Sequence, residues 1–216
     1  MITDKLSKAK EEYARKTGWR ALVNLIPYIG SSLDVLLTAK AQEVTQQRIE
    51  SLVSEVSNQL KLIEESKVDK SFLDSDEWYD LVFRTFEKAI RTRSTEKIQL
   101  YSKILVGTLI SPENREHSEG FLDILADLSE TEVKLARLVY ELKDISIQKK
   151  DEHGSQKPNI FLDRCTFIDK NDIQFYMKRL ERVGLVNEEV GGMWIGYGGG
   201  WYKVTPTFDK LMKVLS

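Results

Sequence analysis

From Ser32 to about Glu65 the chain runs without a single Gly or Pro, and Leu36, Leu37, Val44, Leu52, Val56, Leu60 and Ile63 recur along it at helical spacing. A segment of that length and period can only be a long helix, so the rest of the N-terminal half must supply partners for its apolar stripe. The sequence provides them. Ile2, Leu6, Ala9 and Tyr13 predict an opening helix ending near Gly18, and Pro27 with Gly30 breaks the apolar run that follows. Ser31 or Ser32, with Asp34 just inside, then starts the long helix.

Downstream, Asp74 with Glu77 forms a capping pattern before Trp78, Leu81, Val82, Phe86 and Ile90. The polar stretch RTRSTEK predicts a turn capped by Ser94, and a further helix runs through Ile98, Tyr101, Ile104, Leu105 and Leu109 to Ser111-Pro112. A short helix on Phe121, Leu122, Leu125 and Leu128 completes about six helices with no strand signal. Residues 1–128 thus read as an all-helical bundle domain.

A second domain opens at residue 129. Ser129 and Glu132 make a capping box before Val133, Leu135, Ala136, Leu138, Val139 and Leu142. Residues 148–158 have the composition of a loop. Asp169 can cap a helix carrying Ile173, Met177, Leu180 and Val183, which Gly184 stops. LVNEEV, a glycine-rich reversal and WYKV then predict a small antiparallel hairpin, and Pro206 opens a last helix through Phe208, Leu211 and Leu215. The fold class expected for the whole chain is mainly α: a helical bundle followed, over residues 129–216, by an α+β module.

The segments MKRLERVGLVNEE and WYKVTPTFDKLMKVL resemble the winged-helix superfamily, found in many bacterial transcription regulators. Leu180, Gly184, Leu185, Val186 and Thr205 carry the likeness, which covers the last 88 of the 216 residues. It implies a recognition helix at about Asp169–Val183. With Ile173, Met177 and Leu180 inward, that helix presents Asn171, Gln174, Lys178 and Arg182, residue types that read base edges or grip phosphates. Lys203 would be the wing's single phosphate contact, because the wing is otherwise aromatic and glycine-rich. Trp194 and Tyr197 are the wing side chains best placed to meet a partner, and of the neighbours Trp201 and Tyr202 only one can face the core.

Charge leaves the ligand open. Residues 1–128 carry 18 basic and 21 acidic side chains, and residues 129–216 carry 14 and 13, so neither half is a basic block. Any nucleic acid must be held by a local patch. The residue pattern predicts no catalytic group, no metal site and no cofactor. His117 and His153 lie in polar segments without ligand partners, and Cys165 stands alone in an apolar one. Arg91 and Arg93, and the acidic Asp74, Asp76 and Glu77, read as solvated loop and helix-start residues. The single cysteine and the charged N-terminus point to a cytoplasmic protein.

Three readings follow. One is a non-catalytic regulator that binds DNA through the winged helix. The second is an adaptor that uses the aromatic wing on a protein partner. The third is a membrane-active hairpin at Trp19–Ala39, against which the charges of Arg20 and Asp34 stand. The long helix from Ser32 could also support a homodimer.

Overall fold

The computed structural model describes residues 39–143, 145–147, 160–189 and 200–215. The chain is mainly α with one small antiparallel sheet, and it divides into two compact units at Asp127.

In the first unit, α1 (Ala39–Lys61) buries Ile49, Leu52, Val53 and Val56 on one face. A single 3-10 turn (Glu65–Lys67) and the short α2 (Lys70–Leu73) lead to α3 (Asp76–Arg91), α4 (Thr95–Ile110) and α5 (Arg115–Asp127). The central element is α4, which is buried nearly all round. Ile98, Leu100, Tyr101, Ile104, Leu105, Val106 and Leu109 face three sides of it, as expected of a helix surrounded by others. Its buried hydroxyls are satisfied locally: Ser102 donates to the Gln99 carbonyl at 2.8 Å and Thr108 to that of Leu105 at 2.7 Å. Lys97 is buried too, and its ammonium donates to the Ala126 carbonyl at 2.9 Å.

Along its flank α3 is stitched to α5 by two rungs, Arg84–Glu119 at 3.1 Å and Lys88–Asp123 at 2.6 Å, each partner four residues from the next on its own helix. Arg115 closes the end of the unit. It donates to Asp69 at 2.8 Å and to the Thr108 carbonyl at 3.1 Å, and its guanidinium lies 3.8 Å over the Phe72 ring. The bonds from Ser71, Arg115 and Phe72 hold the Asp69 carboxyl well below the usual range.

The caps show where local chemistry decides a boundary. Ser94 accepts from the Lys97 amide, as the sequence predicts. The start of α3 differs from expectation: Ser75, not Asp74, is its N-cap, accepting from Trp78 at 3.2 Å, while Asp74 terminates α2. The short α2 abuts α3, so the residue in hydroxyl range of the third amide takes the role. Of the predicted N-terminal helices, those before Ala39 lie outside the described residues.

The second unit runs α6 (Glu130–Leu142), β1 (Ile145–Ser146), α7 (Ile160–Arg164), α8 (Ile173–Arg182), β2 (Val186–Glu189), β3 (Trp201–Val204) and α9 (Pro206–Leu215). The sheet order is β1-β3-β2, antiparallel throughout, with Ile145 opposite Tyr202 and Val186 opposite Val204. The strand β1 was not legible in the sequence: two residues are too short for an alternating pattern, and only pairing with β3 defines it.

The cap, stop and turn residues read from the sequence each have a physical role in this unit. Ser129 and Glu132 form the full capping box that opens α6. Gly184, at φ +78°, ends α8; its amide bonds to Glu181 at 2.9 Å and the Leu185 amide to Leu180 at 3.0 Å, the paired bonds of a Schellman end. Thr205 donates to the Gly184 carbonyl at 2.6 Å and accepts from the Phe208 amide at 3.1 Å, so one hydroxyl joins the hairpin base to the start of α9. The core is built from Val133, Leu135, Val139, Phe161, Ile173, Met177, Leu180, Tyr202, Phe208 and Leu211.

Candidate functional site

The outward side of α8 is set by its inward one. Ile173, Met177 and Leu180 are buried, and this fixes the helix rotation so that Gln174, Lys178 and Arg182 are exposed at intervals of four. Asn171 is exposed as well but precedes the helix. The expected start at Asp169 is displaced to Ile173, because the Asp169 carboxylate accepts from the Asn171 amide at 2.8 Å and its carbonyl from the Asp172 amide at 2.9 Å. That local turn satisfies the two amides ahead of the first helical residue. Asp172 occupies the cap position without a side-chain bond.

Electrostatically, this side is not the cationic surface that the residue types suggest. The Lys178 ammonium lies between two carboxylates, Glu181 at 2.7 Å and Glu188 of β2. Those two contacts push its pKa further up, so it is charged but already paired. Glu181 in turn accepts from the Glu188 amide at 3.0 Å, tying α8 to the hairpin, and the bond from Lys178 holds its carboxyl below the ordinary value. Lys203 on β3 pairs with Glu189 on β2 at 2.7 Å. Residues 169–189 together with Lys203 carry five basic and five acidic side chains.

Behind this surface, Arg179 reaches from α8 to Glu132, the capping-box residue of α6, and also donates to the Asp127 carbonyl at 3.2 Å. The Glu132 side chain is 1% exposed. Burial pushes its carboxyl up, but the bonds from Arg179 and from the Ser129 cap outweigh it and leave the pKa lowered.

Beside these polar groups two large aromatic side chains are exposed. Phe175 is 61% exposed on the outward side of α8 and meets Tyr176 edge-on at 5.3 Å. Trp201 is 44% exposed while its neighbour Tyr202 is buried, so one of the pair faces the core, as strand alternation requires. Burial, with Glu188 nearby, pushes the Tyr202 hydroxyl up to about 12. Phe175 escapes a reading that looks for polar side chains, yet it stands off the stripe of Ile173, Met177 and Leu180, and that offset was its available signal. Trp194, Tyr197 and all of the Trp19–Ala39 segment except Ala39 lie outside the described residues.

No protein-family model, curated protein or solved structure matches this chain.

Elsewhere, His117 is half-buried and packs against Phe121 with ring centroids 5.9 Å apart. Cys165 is buried, which pushes its thiol up. Among the described residues no three His, Cys, Asp or Glu side chains gather to hold a metal, and no helix is long and apolar enough to cross a membrane.

Proposed function

We propose that this chain is a non-catalytic adaptor or regulator whose winged-helix-like unit binds a protein partner through the α8–hairpin face. The observation that carries the reading is Lys178 held by two glutamates on a helix whose outward side exposes Phe175. Exposed aromatics beside paired charges suit a protein interface, where rings supply contact area at little conformational cost. Phosphate contacts would need those cations to leave their partners. A compartment that keeps the lone buried thiol of Cys165 reduced, such as the cytoplasm, suits the single cysteine.

The specific observation favouring a second reading, DNA binding, is the exposed series Asn171, Gln174, Lys178 and Arg182 within a winged-helix-like order of elements. Fluorescence anisotropy on a labelled random duplex, titrated across salt, separates the two. The interaction reading expects no duplex binding at low salt. It also expects a photo-crosslinking residue placed at Phe175 to give a discrete protein adduct in cells that the same residue at Glu77 does not give. Tight duplex binding that salt weakens steeply, and that Lys178→Ala with Arg182→Ala abolishes, overturns it.

A further inference from the structure

None of the three carboxylates around α8 and the hairpin caps a helix, and an exposed ion pair such as Lys203–Glu189 stabilises a fold by only about 0–1 kcal/mol. Lys178, Lys203 and Glu189 keep roughly half their side-chain surface in solvent. Their placement is nevertheless systematic. Glu188 and Glu189 are consecutive on β2, so their side chains project to opposite sides of the strand. One meets Lys178 on the helix side and the other meets Lys203 on the outer side. Glu181, one helical turn after Lys178, closes the first contact from below. The two lysines occupy the helix and strand positions from which a winged-helix-like unit would reach a phosphate backbone, and each is met by carboxylates of the same unit.

We propose that Glu181, Glu188 and Glu189 are specificity determinants that cover Lys178 and Lys203 and keep this unit off nucleic acid. The inference rests on the interaction reading and adds its physical cause. A phosphate approaching either lysine must displace a carboxylate already in contact and then lie beside it, and that like-charge juxtaposition selects against an anionic polymer while leaving Phe175 open to a protein surface.

The test is charge neutralisation in the full-length protein: Glu181→Gln, Glu188→Gln and Glu189→Gln together. Glutamine keeps an acceptor oxygen for the Glu188-position amide that Glu181 now holds, so the hairpin base is preserved. The local charge rises by three. On a labelled random duplex at low salt the triple variant should bind where wild type does not, at least roughly tenfold below the highest concentration at which wild type stays unbound, with a salt slope of about 1.8, the value for two phosphate contacts. Adding Lys178→Ala to the triple should return about half of that slope.

The pair Glu188→Gln with Glu189→Gln leaves α8 untouched and serves if the triple does not fold; it should move affinity in the same direction by less. A folded variant with wild-type duplex affinity and slope overturns this inference alone. Wild-type protein that already binds with a slope of about 2 or more overturns both it and the interaction reading.

Discussion

Replacing Arg179 by Ala isolates a carboxylate that the fold has taken out of water. Glu132 is 1% exposed and Arg179, its counter-ion from α8, is 31% exposed. Removing one partner of a fully buried pair costs about 3–5 kcal/mol. Two features lower that here. Water reaches the space a partly exposed guanidinium vacates, and the Glu132 carboxylate still accepts the Ser129 amide at 2.6 Å. A loss of about 2 kcal/mol is the expected result, and in a unit of this size that is a fall in Tm of about 8–16 °C.

Amide hydrogen exchange read by mass spectrometry places the effect. Peptides from α6 and α8 that exchange through opening of the second unit should lose protection about 30-fold, the equivalent of 2 kcal/mol. Peptides from α3 and α4 should not change. A cycle with Glu132→Gln completes the measurement: with the charge already gone, Arg179→Ala should cost much less, and the difference is the coupling energy of the pair. If Arg179→Ala alters protection in α6 and α8 by less than twofold, the account of Glu132 as a carboxylate stabilised by its counter-ion is wrong.

The same group makes the second unit acid-sensitive. Because the folded-state pKa of Glu132 is lowered from its ordinary 4.5, its contribution is fully present above that pH and is lost as pH falls from 4.5 toward the folded value. Denaturant titrations across this range should give a steeper loss for wild type than for Glu132→Gln, and parallel curves would refute it. Gly184→Ala should cost about 1 kcal/mol from backbone strain alone, since φ is +78° and an added Cβ meets no atom within 4 Å. Its thermal melt should be partly restored by Gly184→Asn, which tolerates that region better. In the first unit, Trp78 is fully buried and its indole N–H has no hydrogen-bond partner. Trp78→Phe therefore forfeits volume but no hydrogen bond and should cost about 1–2 kcal/mol, against about 3–5 for Trp78→Ala, as read from urea unfolding.

Much of the second unit could be read directly from the chain because its signals are local. The Ser129–Glu132 box, the glycine that ends α8 and the threonine that opens α9 each act through bonds to residues within a few positions or at a hairpin base, and each does so in the structure. Helices α3 and α4 were legible by periodicity for the same reason. The boundaries that shifted were those where two local options competed: Ser75 against Asp74 for one cap, and the Asp169 turn against an earlier start for α8.

Long-range pairing decided the rest. Two residues of β1 become a strand only because β3 lies beside them. The exposure of Phe175 follows from which α8 residues the core accepts. The electrostatic character of the candidate face turned on distances between residues 3 to 47 positions apart: Lys178 with Glu181 and Glu188, Lys203 with Glu189, Arg179 with Glu132. Sequence alone established which side chains were charged and which helix would carry them, because composition and period are properties of the chain. Whether those charges face solvent or each other is a property of elements packed together, and only the tertiary structure set Lys178 between two glutamates and left Phe175 open beside it.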